Sequence, residues 1–365
     1  MKHEAQSDGS REVFRWLRVS RKEDVPPASR RYIDVALLDM NHAWPNLGHD
    51  AIVRTIGEIA EDARPALEEA SLAVRVLSYD VRRRLQVPEG PGGRHEIYVG
   101  TGGPGHLDPR LNDGLAEFSQ GIRVDASWEA PLFRLFDSIA VSESAGFLAV
   151  CHSFGVVCRW SGVARPVLRG AEKGGKSSGV VTNVLTPEGL AHPWFSRFAA
   201  CLQDRRRFKV LDNRLFDLVP PSPALPPGFA AIAFEEADGR TAVGLTSLEF
   251  GRDPRDGMPR CLAVNHHPEI RNRWRQRWLL ERKLERGEVT KDWYDERAGS
   301  ISQAFSSPEM EREVMRTSQY TFVAPLRYHL YRQIRMRADA VALLAGLHER
   351  VVLLPSGTLD FEENL

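Results

Sequence analysis

The stretch Gly146–Cys158, GFLAVCHSFGVVC, decides how the rest of the chain is read. Its first residues form a short apolar run of the kind found in a strand buried on both faces. The run HSFGVVCRWSG after it reads as a helix. Cys151 therefore stands at a strand-to-helix junction, and two readings compete for it. Free cysteine is among the most buried residue types and is usually inert, which favours a small hydrophobe at the end of a core strand. A nucleophile on a sharp turn is the alternative, and only the surrounding chain can decide between them.

Upstream, YIDVALLDM (32–40) is a branched apolar run with the signature of a buried strand. Residues 50–70 carry Ile52, Ile56, Ile59 and Ala60 at helical spacing and close near Pro65. LAVRVLSYDV (72–81) is a second strand, and HEIYVGTGGPG (95–105) is a third that runs into a glycine turn. PLFRLFDSIAVSES (131–144) reads as a helix before the GFLAVC strand. This alternation predicts an α/β fold, an open and mostly parallel sheet with helices on both faces. Downstream the character changes. ARPVLRG, SGVVTNVL, FKVLD, FAAIAFEE and TAVGLTSLEF are short strands between Gly, Pro and Asp turns, which predicts an antiparallel extension. RCLAVNHHPEI (260–270) is a last strand, and residues 271–350 are helical and highly charged. The expected organisation is a polar lead-in over 1–30, one domain over 31–270 and a charged helical C-terminal extension over 271–365.

Composition narrows the function classes. The 365 residues balance 49 Lys and Arg against 49 Asp and Glu, so the electrostatic footprint of a general nucleic-acid binder is missing. Four cysteines make no disulfide framework and none are spaced as zinc ligands, so no metal or other cofactor is expected and a reducing cytoplasm fits. The N-terminal MKHEAQSDGSREVFRW lacks a signal peptide's apolar core, and no run approaches the ~18 apolar residues of a membrane span. The expectation is a cytoplasmic protein with neither membrane nor nucleic acid as partner.

Ligands in open parallel sheets gather outside the carboxyl ends of the strands. Three predicted strands end in TGGPG (Thr101–Gly105), VCHS (Val150–Ser153) and NHHPE (Asn265–Glu269). Together they supply a cysteine, a histidine with a carboxylate two residues on, and a turn with free backbone N–H groups. These are the parts of acyl transfer through a thioester. In this order and separation, YVGTGGPG, LAVCHSFG and VNHHPE resemble the three motifs of class I glutamine amidotransferase domains, and LVPPSPALPPGFAAIAFE (218–235) is similar to that family's stretch before its late strands. The resemblance covers about two-thirds of the chain, residues 32–270. It implies that Cys151 is the nucleophile, His267 the base and Glu269 the group that orients it, with the backbone N–H groups of Gly103 and His152 as oxyanion hole. His266 has no counterpart in the family and reads as a side chain on the other face of the strand.

The family's glycines two before and two after the cysteine are here Ala149 and Ser153, and its substrate-holding glutamine four residues on is Gly155. VLDNRLFDLV (210–219) lies where the family has a pocket-lining polar pair; Asn213 stands there and Arg214 replaces a histidine. Gly102, Gly155, Asn213 and Arg214 are the expected substrate-binding positions. Asn41, His42 and Asn46 follow the first strand and would overhang the same face, or form no more than a polar turn. GAEKGGKS (Gly170–Ser177) matches the phosphate-binding loop, but the strand-like SGVVTNVL after it argues against the helix such a loop needs. The aromatic and Arg-rich RNRWRQRWLLERK (271–283) reads as a solvated helix packing two tryptophans beside the active-site face, where it could cap the pocket. The implied function is hydrolysis of glutamine, or of a γ-glutamyl amide, with ammonia passing to a separate synthetase or acceptor subunit. A standalone γ-glutamyl amide hydrolase and a catalytically silent binding module are the alternatives.

Overall fold

The computed structural model describes residues 12–170, 175–237 and 240–344. Six strands run parallel at its heart: β1 (Phe14–Val19), β2 (Tyr32–Asp39), β3 (Ala73–Asp80), β4 (His95–Gly100), β5 (Gly146–Val150) and, from much later in the chain, β12 (Pro259–Val264). Their spatial order is β1-β3-β2-β4-β5-β12. An antiparallel wing continues from β12 through β11 (Arg240–Arg252), β10 (Phe229–Ala237), β7 (Ser177–Leu185) and β8 (Arg207–Arg214). β6 (Arg165–Leu168) pairs with β9 (Phe216–Val219), which touches β11. The α/β fold expected from the sequence, with its antiparallel extension and C-terminal helices, is the fold observed.

Period-2 alternation along buried strands builds two core layers. On β2, Ile33, Val35 and Leu37 enter one apolar cluster, while Ala36 and Leu38 enter the other. On β5, Leu148 and Val150 face the first cluster, and Phe147 and Ala149 the second. The first layer is covered by α1 (Gly48–Asp62), through Ile52, Ile56 and Ile59 on one helical stripe. α2 (Arg64–Glu69) follows with Pro65 in its first turn, where a missing N–H costs nothing. A single turn, α3 (Val81–Arg84), ends β3. α4 (Glu129–Val141) and α5 (His152–Ser161) cover the second layer. α6 (Pro187–Ala191) and α7 (Phe195–Cys201) return to the first, through Phe195 and Phe198.

Among its described residues the C-terminal extension has four α-helices: α8 (Arg273–Glu285), α9 (Lys291–Ala304), α10 (Pro308–Ser318) and α11 (Ala324–Leu344). A π-helical turn, Gln319–Val323, joins the last two. Phe322, Leu326, Leu330 and Ile334 sit in the first core layer, so this extension is built onto the sheet. A third cluster joins Leu280, Ile301 and Phe305 to Leu47, Leu211 and Ile270 at the carboxyl ends of the strands.

Two expectations are corrected. Residues 14–19, assigned to the lead-in, form strand β1, in parallel register with β3 from Phe14↔Val74 to Val19↔Tyr79. Its pattern was obscured because the exposed Arg15, Trp16 and Arg18 fall on both faces of the strand and interrupt its apolar residues. The tryptophans of α8 are not packed: Trp274 is 72% exposed and Trp278 47%, each lying under an arginine at 4.6 and 4.5 Å. The helix buries Gln276 and Leu280 instead. In the GAEKGGKS match, residues 171–174 lie outside the described residues, and Ser177 opens strand β7 rather than a helix, with its hydroxyl donating to Asp212 at 2.6 Å. No helix among the described residues is long and apolar enough to cross a membrane.

Candidate active site

Cys151 is the residue between β5 and α5, with φ +51° and ψ −104°. A non-glycine residue held there stores about 1–3 kcal/mol of strain, which surrounding structure must enforce. Two bonds enforce it here: Cys151 N–H donates to the Val264 carbonyl of β12 at 2.8 Å, and the Cys151 carbonyl accepts from Gly155 N–H at 3.1 Å. The turn lifts Sγ out of the strand line into a cleft, 4.0 Å from the Asn213 carbonyl.

Glycine was expected two residues after the cysteine, and the structure shows where that space comes from instead. Ser153 Oγ donates to the Thr101 carbonyl at 2.7 Å, and a Cβ on Gly100 would lie 2.4 Å from that oxygen. The missing glycine is on the neighbouring strand, which admits the serine. Gly155 has no free space above it. An added Cβ would stand 2.5 Å from both methyl carbons of Leu107, so the site expected to hold a glutamine side chain is filled by a leucine from the loop after β4.

His267 follows β12, its N–H donating to the Leu211 carbonyl at 2.8 Å. Its Nδ1 lies 2.8 Å from Glu269 Oε1. Burial works against charge on this ring, but the Glu269 carboxylate and the facing Cys151 sulfur outweigh it and hold the imidazole pKa well above its ordinary value. Glu269 is buried, and its second oxygen has no partner among the described residues. It packs against the first residue of α1, where a Cβ on Gly48 would sit 2.6 Å from Oε1, so the helix's positive end faces the carboxylate. Gly102 lies between the two reactive groups. An ideal Cβ there would be 3.1 Å from His267 Cε1 and 3.8 Å from Cys151 Sγ.

The Gly-Gly-Pro turn supplies donors. Thr101 N–H and Ser153 N–H are taken by the Leu38 and Thr101 carbonyls, whereas no acceptor among the described residues meets Gly103 N–H or His152 N–H. Gly103 must be glycine, since a Cβ would lie 2.3 Å from the Met40 carbonyl. Behind this loop stands Arg82 of α3, fully buried, its Nη1 donating to the carbonyls of Met40 at 2.9 Å and Pro104 at 2.7 Å. Burial pushes its pKa down to about 9, against the pull of Asp39. The His152 ring is held neutral by burial and by the Arg82 charge.

Outer contacts hold the histidine loop. His266 points away from the cleft and meets Thr321 Oγ1 at 3.0 Å, and burial depresses its pKa to about 3. Ser318 Oγ donates to the Pro268 carbonyl. Both partners come from the π-helical junction and its approach, so the C-terminal extension buttresses the His-Pro-Glu turn.

The cleft encloses about 170 Å³ and brings Cys151, His152, Gly102, Gly103, His267 and Glu269 together. Asn213 and Arg214 line it, as do Asn41 and Asn46; His42 does not. Arg214 is turned into its floor, with Nη1 on Asp212 at 2.5 Å, Nε on Asp217 at 3.2 Å and Nη2 on Glu235 at 2.5 Å. Sequence reasoning missed Leu107, Lys176, Arg297, Ser300 and Ile301, which complete the walls. The last three lie on α9, where only the charged helical character of the segment hinted at a cap.

No protein-family model matches the chain and no curated protein is similar to it in sequence. Among solved structures it is similar to a glutamine amidotransferase from Thermotoga maritima, at 14% identity and a TM-score of 0.43, over 84% of this chain and 98% of that one. It is also similar to a glutamine amidotransferase from Methylobacillus flagellatus, at 13% identity and a TM-score of 0.41, over 84% of this chain and 94% of that one.

Proposed function

We propose that the chain is a glutamine amidotransferase-like amidohydrolase using Cys151, His267 and Glu269. The observation that carries this reading is the positive-φ cysteine at the mouth of a helix, with a carboxylate-bound histidine facing it across Gly102. An imidazolium beside a thiol is the arrangement that generates a thiolate nucleophile near neutral pH. Sγ attacks the side-chain carbonyl of glutamine or of a γ-glutamyl amide, and the developing oxyanion is received by the N–H groups of Gly103 and His152. His267 gives its proton to the departing nitrogen, ammonia or an amine leaves, and a γ-glutamyl thioester remains. The neutral imidazole then takes a proton from water as it attacks the thioester, and the carboxylic product leaves with the thiolate–imidazolium pair restored.

We assign this chemistry to residues 31–270 together with β1, and a supporting role to 271–365. Release of ammonia to a separate acceptor subunit is one use of the reaction. Standalone hydrolysis is the second reading, and it is favoured by α9 of the same chain forming part of the cleft wall. The test is labelling of Cys151 by a diazo-ketone glutamine analogue, read by intact mass, beside release of ammonia from glutamine and of the amine from γ-glutamyl amines. Cys151→Ala is expected to abolish both signals; full ammonia release by that variant would overturn the mechanism.

A further inference from the structure

Resting on the hydrolase reading above, we infer that the cleft accepts an amide whose far end carries a carboxylate, and that Arg297 of the C-terminal extension receives that carboxylate. Among the described residues three cations line the cleft besides the histidines: Lys176, Arg214 and Arg297. Arg214 is spent, each of its three nitrogens meeting a different carboxylate in the floor. Lys176 and Arg297 share a single carboxylate, Glu296, at 2.5 and 3.3 Å. Lys176 spends its contact on Glu296 Oε1, whereas Arg297 touches Glu296 through Nη1 alone. Among the described residues no acceptor meets Arg297 Nε or Nη2.

The guanidinium is also held for recognition. It stacks on the Trp293 ring at 4.0 Å, which fixes its plane, and its side chain is only 18% exposed. A planar fork with two open donors, partly out of water and prevented from turning, matches the two oxygens of a carboxylate. The wall's own carboxylates do not compete for it. Asp212 is held by Ser177 and Arg214, and Glu269 by His267. A ligand with its amide at Cys151 and its carboxylate at Arg297 would span the cleft, so specificity for an acidic substrate is supplied by α9 rather than by the position of Gly155.

Alkylation of Cys151 tests this without any assay of turnover. 5-Chloro-4-oxopentanoate and its primary amide alkylate the same thiolate with loss of chloride, and they carry the carboxylate or carboxamide as many bonds from the attacked carbon as glutaramate carries its carboxylate from its amide carbon, so the ratio of their rates cancels thiolate content and isolates the anion seat. The measurement uses the full chain with Cys201→Ser, because Cys201 is exposed whereas Cys158 and Cys261 are buried. Arg297→Met is expected to lower the acid-to-amide rate ratio about five- to tenfold, as removal of a charge-assisted pair should. Arg297→Lys should fall between, and Glu296→Gln should leave the ratio unchanged or raise it. A native ratio in Arg297→Met overturns the assignment. If Cys151 is inert to both reagents, the hydrolase reading fails on its own, and thermal stabilisation decides the anion seat. Glutaramate raising Tm more than glutaramide, with the difference lost in Arg297→Met, supports it; equal shifts in the unsubstituted chain overturn it.

Discussion

Replacing Gly155 by alanine asks whether Leu107 really occupies the place of a substrate-binding side chain. The added methyl would sit 2.5 Å from both Leu107 methyl carbons, whereas carbon atoms make their best contact at about 3.5–4.0 Å. Leu107 must therefore retreat by about 1 Å or more, and it is only 5% exposed, with the cleft as its open side. Overpacking of this kind costs about 1–3 kcal/mol. Leu107→Ala alone should cost about 2–5 kcal/mol by leaving a cavity. In the double variant the alanine methyl enters the vacated space, so the combined cost should be less than the sum of the two by about 1–2 kcal/mol. Urea unfolding at 25 °C measures all four corners of this cycle. The single variant Gly155→Ala should also raise KM for amide substrates, because the leucine is driven into the cleft, while the double variant should recover it. Additivity within about 0.5 kcal/mol, or a Gly155→Ala protein as stable as the parent, would refute the packing argument.

Other outcomes follow from the same geometry. Loss of the His267 proton at high pH removes the acid that expels the amine, so activity should fall on the alkaline side, at a pH above the ordinary histidine range because the ring's pKa is raised. Glu269→Gln withdraws the supporting charge and should move that alkaline limb down by about one to three pH units; an unmoved limb in the pH profile of kcat would contradict it. Gly102→Ala places a methyl 3.1 Å from His267 Cε1 and should depress kcat by about a hundredfold or more through misplacement of the reacting pair, with little change in Tm. Arg82→Met removes the clamp between the Met40 and Pro104 carbonyls. It should lower kcat about tenfold through a loosened oxyanion loop while KM holds, and equal loss in kcat and in glutamate affinity would show that the effect is not confined to the oxyanion.

The parallel sheet and the three strand ends were legible from the sequence because their causes are local. Strands buried on both faces must be apolar throughout, as in YIDVALLDM and LAVRVLSYDV. A turn that presents backbone N–H groups needs glycines, and a histidine two residues from a glutamate can reach it without help from the rest of the chain. The edge strand β1 escaped notice because it is half-exposed and interrupted by arginines, so its pairing with β3 is all that defines it. Ser153 stood where the family has a glycine, and the room for it comes from Gly100, more than fifty residues earlier and beside it in the sheet. Gly155 read as a missing donor, and only the packed structure shows Leu107 standing in its space. Arg214 read as a pocket residue and does line the cleft, but its charge is taken up by three carboxylates from two other strands and its own. The sequence by itself determined which backbone positions carry the reactive groups, since strand, turn and motif are set by neighbours along the chain. What surrounds those groups was decided only by tertiary structure: the leucine over Gly155, the floor that captures Arg214, and the α9 wall that brings Arg297 to the cleft. The leucine and the α9 wall come from residues dozens to more than a hundred positions away, and even Arg214, close in sequence to Asp212 and Asp217, meets Glu235 only because β10 belongs to the same sheet.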